Sequence, residues 1–154
     1  MKVLFDLENY LSDKPLGELA CDNLLCPYGS TQPALFVEQV EDIKVVRVTN
    51  CACNDAGVEI LLSSVDGLGG SDRIIIIGRL GQSFIAQGVG IALFAKDEKI
   101  VELSVHEPNI NLYSLSCKYA DIANQKLLLL LTKKSVSLLD LDFFIDGILV
   151  IREG

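Results

Sequence analysis

The chain has 154 residues, of which 50% are hydrophobic, the size and apolar content of one folded domain rather than of a disordered segment. Its formal net charge of -8, from 21 acidic and 13 basic residues, provides no stripe of cations to neutralise phosphates. That excludes a nucleic-acid role and disfavours an anionic membrane surface, while neutral glycans, cations and basic partners stay open.

From the start, Asp6 and Glu8 alternate with Phe5 and Leu7, which suits a strand paired with the end of the chain. Met1–Asp6 carries one basic residue and an acid interrupts it, so it does not read as a secretion signal. The chain is expected to be either cytosolic or a module of a longer exported protein. Leu11–Leu25 has room for one or two helical turns, broken by Pro15 and Gly17.

From residue 35 on, β-type segments recur at the spacing of an all-β protein. They are Leu35–Val40, Ile43–Thr49, Val58–Ser63, Arg73–Leu80, Val89–Ala95, Ile100–His106, Leu112–Lys118, Lys126–Thr132 and Asp142–Ile151. Arg73–Leu80 is nearly all Ile and is expected to be central and buried on both sides. Ile100–His106 alternates, with one wet face and one dry. Wholly apolar runs such as Leu127–Leu131 and Ile74–Ile77 fall far short of the ~20 residues of a membrane span. Nine or ten strands without a linker or repeat predict a single domain over 1–154, an antiparallel two-sheet β-sandwich of the jelly-roll type.

The five cysteines are Cys21, Cys26, Cys51, Cys53 and Cys117. An odd number leaves at least one without an intramolecular partner. Cys51 and Cys53 are too close for an ordinary disulfide along a strand, and their spacing is not that of zinc knuckles. Buried thiols in a reducing setting are the expectation. A metal site on Cys21, Cys26, Cys51 and Cys53 is the alternative. Cys117 alternates with Tyr113 and Leu115, which implies burial.

Asp146 is a lone acid between Phe144 and Ile148 in the last apolar run. A charge there is costly unless it is paired or ligates a metal. Four stretches in order complete a pattern. They are Ile43–Asn50 with Gly57–Ile60, Asp72–Arg79, Tyr119–Asn124 and Asp142–Ile151. Together they resemble the layout of jelly-roll carbohydrate-binding modules over roughly residues 40 to 151.

The resemblance implies a polar ligand contact in the loop between the second and third strands, where Asn50, Asn54, Asp55 and Glu59 stand. Ordinary turn chemistry is the alternative for these residues. Arg47 and Arg79, set in apolar strands, would face a glycan, or else form salt bridges or lie on a solvated sheet face. Such modules commonly stack sugars on Trp. This chain has none, so Tyr28, Tyr113 or Tyr119 would have to serve. The resemblance also implies a structural Ca2+ between the first and last strands, held by Asp6, Glu8 and Asp146 with backbone carbonyls and water. Otherwise Asp146 accepts hydrogen bonds from a turn or faces an Arg or Lys.

Catalysis is not expected. The single His106 has no paired nucleophile motif, and Gly67-Leu68-Gly69-Gly70 lacks the Lys and helix of a phosphate loop. The sequence therefore reads as a non-catalytic carbohydrate-binding module. It would target a parent enzyme or surface protein to a polysaccharide or oligosaccharide, extracellularly or at the cell surface, with catalytic domains linked in a longer parent chain. A structural or protein-interaction β-sandwich without sugar binding is the alternative.

Overall fold

A computed structural model describes residues 1–29, 33–49, 56–80, 90–95, 98–104, 112–122, 126–132 and 142–154. Twelve strands lie among them. In chain order they are β1 (Lys2–Asp6), β2 (Gly17–Glu18), β3 (Leu25–Tyr28), β4 (Ala34–Val40), β5 (Ile43–Thr49), β6 (Gly57–Ile60), β7 (Arg73–Leu80), β8 (Gly90–Ala95), β9 (Glu98–Ser104), β10 (Leu112–Lys118), β11 (Leu127–Thr132) and β12 (Phe143–Arg152). The larger sheet runs β10-β7-β12-β5-β4-β2, with β1 also on β12; the smaller runs β3-β6-β11-β8-β9. Every pairing is antiparallel. The two-sheet sandwich expected from the strand periodicity is the observed fold.

Alternation builds the core. In β7, Ile74, Ile76, Gly78 and Leu80 face inward, and in β10 Tyr113, Leu115 and Cys117 do the same. They meet Val58, Ile60, Ile91, Leu93, Leu127, Leu129 and Leu131 from the smaller sheet in one buried cluster. Gly78 matters here because the Tyr113 side chain lies across it. A Cβ at that position would collide with the Phe144 carbonyl and the Tyr113 hydroxyl. That hydroxyl donates to the same carbonyl at 2.7 Å, which satisfies a polar tip inside the core.

β12 is the pivot of the larger sheet. Its first residues pair with β5 and its last with β1, both on the side opposite β7. Against β7 its register slips between Ile145 and Gly147. The extra residue of this bulge is Asp146. The bulge resets the alternation, so Phe143 and Ile145 face inward before it and Ile148 and Val150 after it.

Several expectations are corrected. The helix is not within Leu11–Leu25 but at Leu7–Leu11 (α1), where the Asp6 side chain caps it by accepting from the Glu8 amide at 3.0 Å. Leu7 and Leu11, four residues apart, share its buried face. Glu8 is thus an exposed helical residue, not part of a strand. β7 lies next to the last strand of its sheet, β10, and is covered on one side only: Ile77 is 46% exposed. The third expected strand stops at Ile60 and gives way to a 3-10 turn at Leu62–Ser64. The short β2 and β3, which carry no long alternation, were not foreseen. Cys21 and Cys26 form a disulfide rather than two thiols. Cys117 is the buried free thiol expected. Cys51, Cys53 and His106 lie outside the described residues.

Candidate functional site

Strand parity puts two kinds of side chain on the outer face of the larger sheet. β7 presents Arg73, Ile75, Ile77 and Arg79; β10 presents Leu112, Ser114, Ser116 and Lys118. The strand registers then align one row across six strands: Leu112, Arg79, Phe144, Arg47, Phe36 and Glu18. At about 4.8 Å between strands the row spans roughly 24 Å.

The row alternates charge with ring. The Arg47 guanidinium lies over the Phe36 ring, 5.1 Å from its centroid, and Arg79 lies over Phe144 at 5.0 Å. Each arginine is also held by acid. Arg47 donates to Glu38 through Nε and to Asp142 through Nη1 at 3.1 Å. Arg79 donates to Asp146 twice, at 2.9 and 3.2 Å. The hydrogen bond to Glu38 is the main reason the Arg47 pKa is raised further. Both guanidiniums are half-buried, so their planes are fixed while part of each donor fork stays open to solvent. Oriented donors, acceptor oxygens and flat apolar contact within one row are what a polyhydroxylated ring requires of a protein surface.

The expected ligand residues divide among several places. Arg47 is in the row. Glu59 is on the outer face of the smaller sheet, paired with Lys126 at 3.4 Å, on the opposite side of the sandwich. Tyr113 is corrected from a sugar platform to a core residue, 3% exposed. Tyr119 sits in a 3-10 turn after β10, packed on the core, and its amide donates to the Asp72 carbonyl at 2.8 Å. Tyr28 is exposed on β3 of the smaller sheet. Asn50, Asn54 and Asp55 lie outside the described residues.

The expected calcium ligands are each otherwise engaged or exposed. Asp6 caps α1, Glu8 is exposed, and Asp146 belongs to Arg79. Among the described residues no group of three or more His, Cys, Asp or Glu could hold a metal ion. What the sequence reading missed was Phe36 and Phe144. Parity would have found them. Phe36 falls between the inward Leu35 and Val37, and of the neighbours Phe143 and Phe144 only one can face in.

Beyond Glu18, at the end of the row, a cavity of about 410 Å³ is lined by Glu18, Leu19, Cys21, Pro27, Pro33 and Ala34. The Cys21–Cys26 disulfide closes the loop beside it. Asp22 organises that loop. One carboxylate oxygen accepts from the Leu24 and Leu25 amides at 2.8 and 2.9 Å, and the other accepts from the Tyr10 hydroxyl. Burial and the Asp22 carboxylate push the Tyr10 pKa well up.

No protein-family model and no curated protein matches the chain. Solved structures do match it in fold. The CBM22-1 xylan-binding domain from Paenibacillus barcinonensis Xyn10C superposes with a TM-score of 0.56 at 12% identity, covering 97% of this chain and 93% of that one. A xylan-binding module CBM15 gives 0.54 at 13% identity, covering 88% and 95%. The Stig cyclase Fisc from Fischerella sp. TAU gives 0.51 at 12% identity, covering 93% of each. At these identities the likeness is one of fold: the two-sheet sandwich of carbohydrate-binding modules, which a cyclase shares.

Proposed function

We propose that the chain is a non-catalytic carbohydrate-binding module that holds a polysaccharide on the outer face of its larger sheet. The observation that carries this reading is the row from Leu112 to Glu18. Its two arginines are braced by acids and laid on partly buried rings. The fold supports it, since two of the similar structures are named as xylan-binding, which makes xylan the first polymer to try. The Cys21–Cys26 disulfide favours an oxidising, extracellular setting, as expected of a module in a longer exported protein.

Contact made by Phe rather than Trp, on an open face, points to weak binding, with a dissociation constant on the order of 0.1 to 1 mM. Affinity electrophoresis against xylan, β-glucan and mannan tests the reading. At least one polymer is expected to retard the protein. Phe36→Ala and Arg47→Gln should abolish the retardation, while Glu59→Gln, on the far face, should not. Retardation that survives both substitutions would move the site elsewhere. No retardation by any polymer would leave a structural or protein-interaction domain as the reading.

A further inference from the structure

Six residues along β7 from Arg79, roughly 20 Å away on the same outer face, Arg73 stands directly opposite Lys118 of β10. Like charges in such a cross-strand pair destabilise a sheet. The arginines of the row are matched by carboxylates, and Arg152 by Asp72. Among the described residues neither Arg73 nor Lys118 makes an ion pair. The polar neighbour of Arg73 is the Ser116 hydroxyl, 3.4 Å from its Nη1. Asp121, close to Lys118 in sequence, uses a carboxylate oxygen to accept from the Lys118 amide at 3.3 Å. In a chain of net charge -8, two juxtaposed cations thus have no acid paired to them among the described residues.

The ground between this pair and the row is continuous. Ile77 and Ile75 form a floor on β7, and Ser114 and Ser116 run beside them on β10, both exposed. A chain lying along β7 would cross from the row to the pair over apolar contact with hydroxyls at its flank.

The geometry points to Arg73, Lys118 and Ser116 as a subsite for a carboxylate, the acid of a uronic sugar carried by the polysaccharide that the face holds. This rests on the glycan reading above and names the class of glycan. The net charge narrows it further. Repulsion between exposed charges is screened beyond about 8 Å at physiological ionic strength, so what a densely charged polyanion meets is the short-range repulsion of the acids beside the row, Glu38, Asp142 and Asp146. The ligand is therefore a largely neutral chain with scattered uronic acids.

The test compares three polymers on one backbone: unsubstituted, uronic-acid-substituted, and the substituted polymer after its carboxyls are reduced to alcohols. The parent chain should bind the acidic form about threefold to tenfold more tightly than either neutral form. That increment should vanish in 0.5 M salt. Arg73→Gln/Lys118→Gln should lose the increment, keep its affinity for the neutral polymers, and melt no lower than the parent because a like-charge pair is removed. Equal binding of acidic and carboxyl-reduced polymer, or an increment that survives the double substitution, overturns the subsite and leaves the glycan reading standing. Absence of binding to all three overturns both. A fully charged polyuronate that binds best of all overturns the assignment to a sparsely acidic chain.

Discussion

Arg79 and Asp146 meet as a two-point ion pair, Nε to Oδ2 at 2.9 Å and Nη2 to Oδ1 at 3.2 Å, at the bulge where β12 changes its alternation. The acid in the last apolar strand therefore has a partner of its own, and it fixes the guanidinium that lies on Phe144. Asp146→Asn should lower the stability by about 1 kcal/mol, the scale of a partly exposed, charge-assisted pair. Urea denaturation measures this. The loss is expected to be the same in calcium and in EDTA. A melting temperature that calcium raises in the parent but not in Asp146→Asn would return this carboxylate to a cation.

Gly78→Ala should destabilise by about 3 kcal/mol, because its Cβ would meet the Phe144 carbonyl and the Tyr113 hydroxyl inside the core. Tyr113→Phe should cost about 1 kcal/mol by leaving that carbonyl without its donor. If Gly78→Ala is tolerated in the Tyr113→Phe background as badly as alone, the clash is with backbone rather than with the hydroxyl. Chemical denaturation of the two single variants and the double variant decides between them.

Asp72 is fully buried, and the Arg152 guanidinium and the Gly69 amide hold its carboxyl below the usual 3.8. A folded value below the unfolded one means that this stabilisation is present above pH 3.8 and is lost as pH falls through the lower folded value. Unfolding midpoints in urea should therefore fall as the pH is lowered below 3.8. Arg152→Gln should flatten that dependence.

Burial, with the Asp121 charge nearby, pushes the Cys117 thiol from 9.0 up to about 11. Its share of stability is intact below pH 9 and is lost as pH rises through 11. At pH 8 Cys117 should be silent to a thiol reagent until the protein unfolds. Mass analysis of a non-reducing digest should recover Cys21 linked to Cys26. Replacing both with Ser should cost about 2 kcal/mol, the closure entropy of so short a loop.

Phe36→Trp should tighten binding to a neutral polysaccharide by about threefold, since a larger ring in the same position gives more stacking area and a better seat for Arg47. Isothermal titration with a soluble oligosaccharide would show it. Unchanged affinity would mean that the ring serves Arg47 alone.

Much of the fold was legible because period-two alternation is a local signal. Ile43–Thr49, Arg73–Leu80 and Leu112–Lys118 have the bounds that the sequence indicates. β2 and β3 were not legible because strands of two and four residues have no period to show. The site was less legible than the fold. Arg47 was found as a charge in an apolar strand. Glu59 has the same local appearance yet ends on the other side of the sandwich, and only the pairing order decides that. Tyr113 was misplaced because nothing local indicates that Gly78, thirty-five residues earlier, makes room for its ring. Asp146 looked like a ligand because a bulge, unlike a strand, leaves no mark of its own in hydrophobicity.

The pairing of β1 with β12 sets Lys2 directly across from Arg152. Both ends of the described chain thus leave from one corner of the larger sheet, and Ile151 on that corner is the cross-strand neighbour of Arg73. A domain fused before Lys2 and one fused after Arg152 would be tethered at the same place, beside the Arg73–Lys118 end of the outer face rather than beside the aromatic row. Whatever is attached there is carried at one end of the track along β7, so a captured polymer would be presented to it end-on. The same adjacency lets a short linker join the termini, and a circular permutant made that way should keep both sheets.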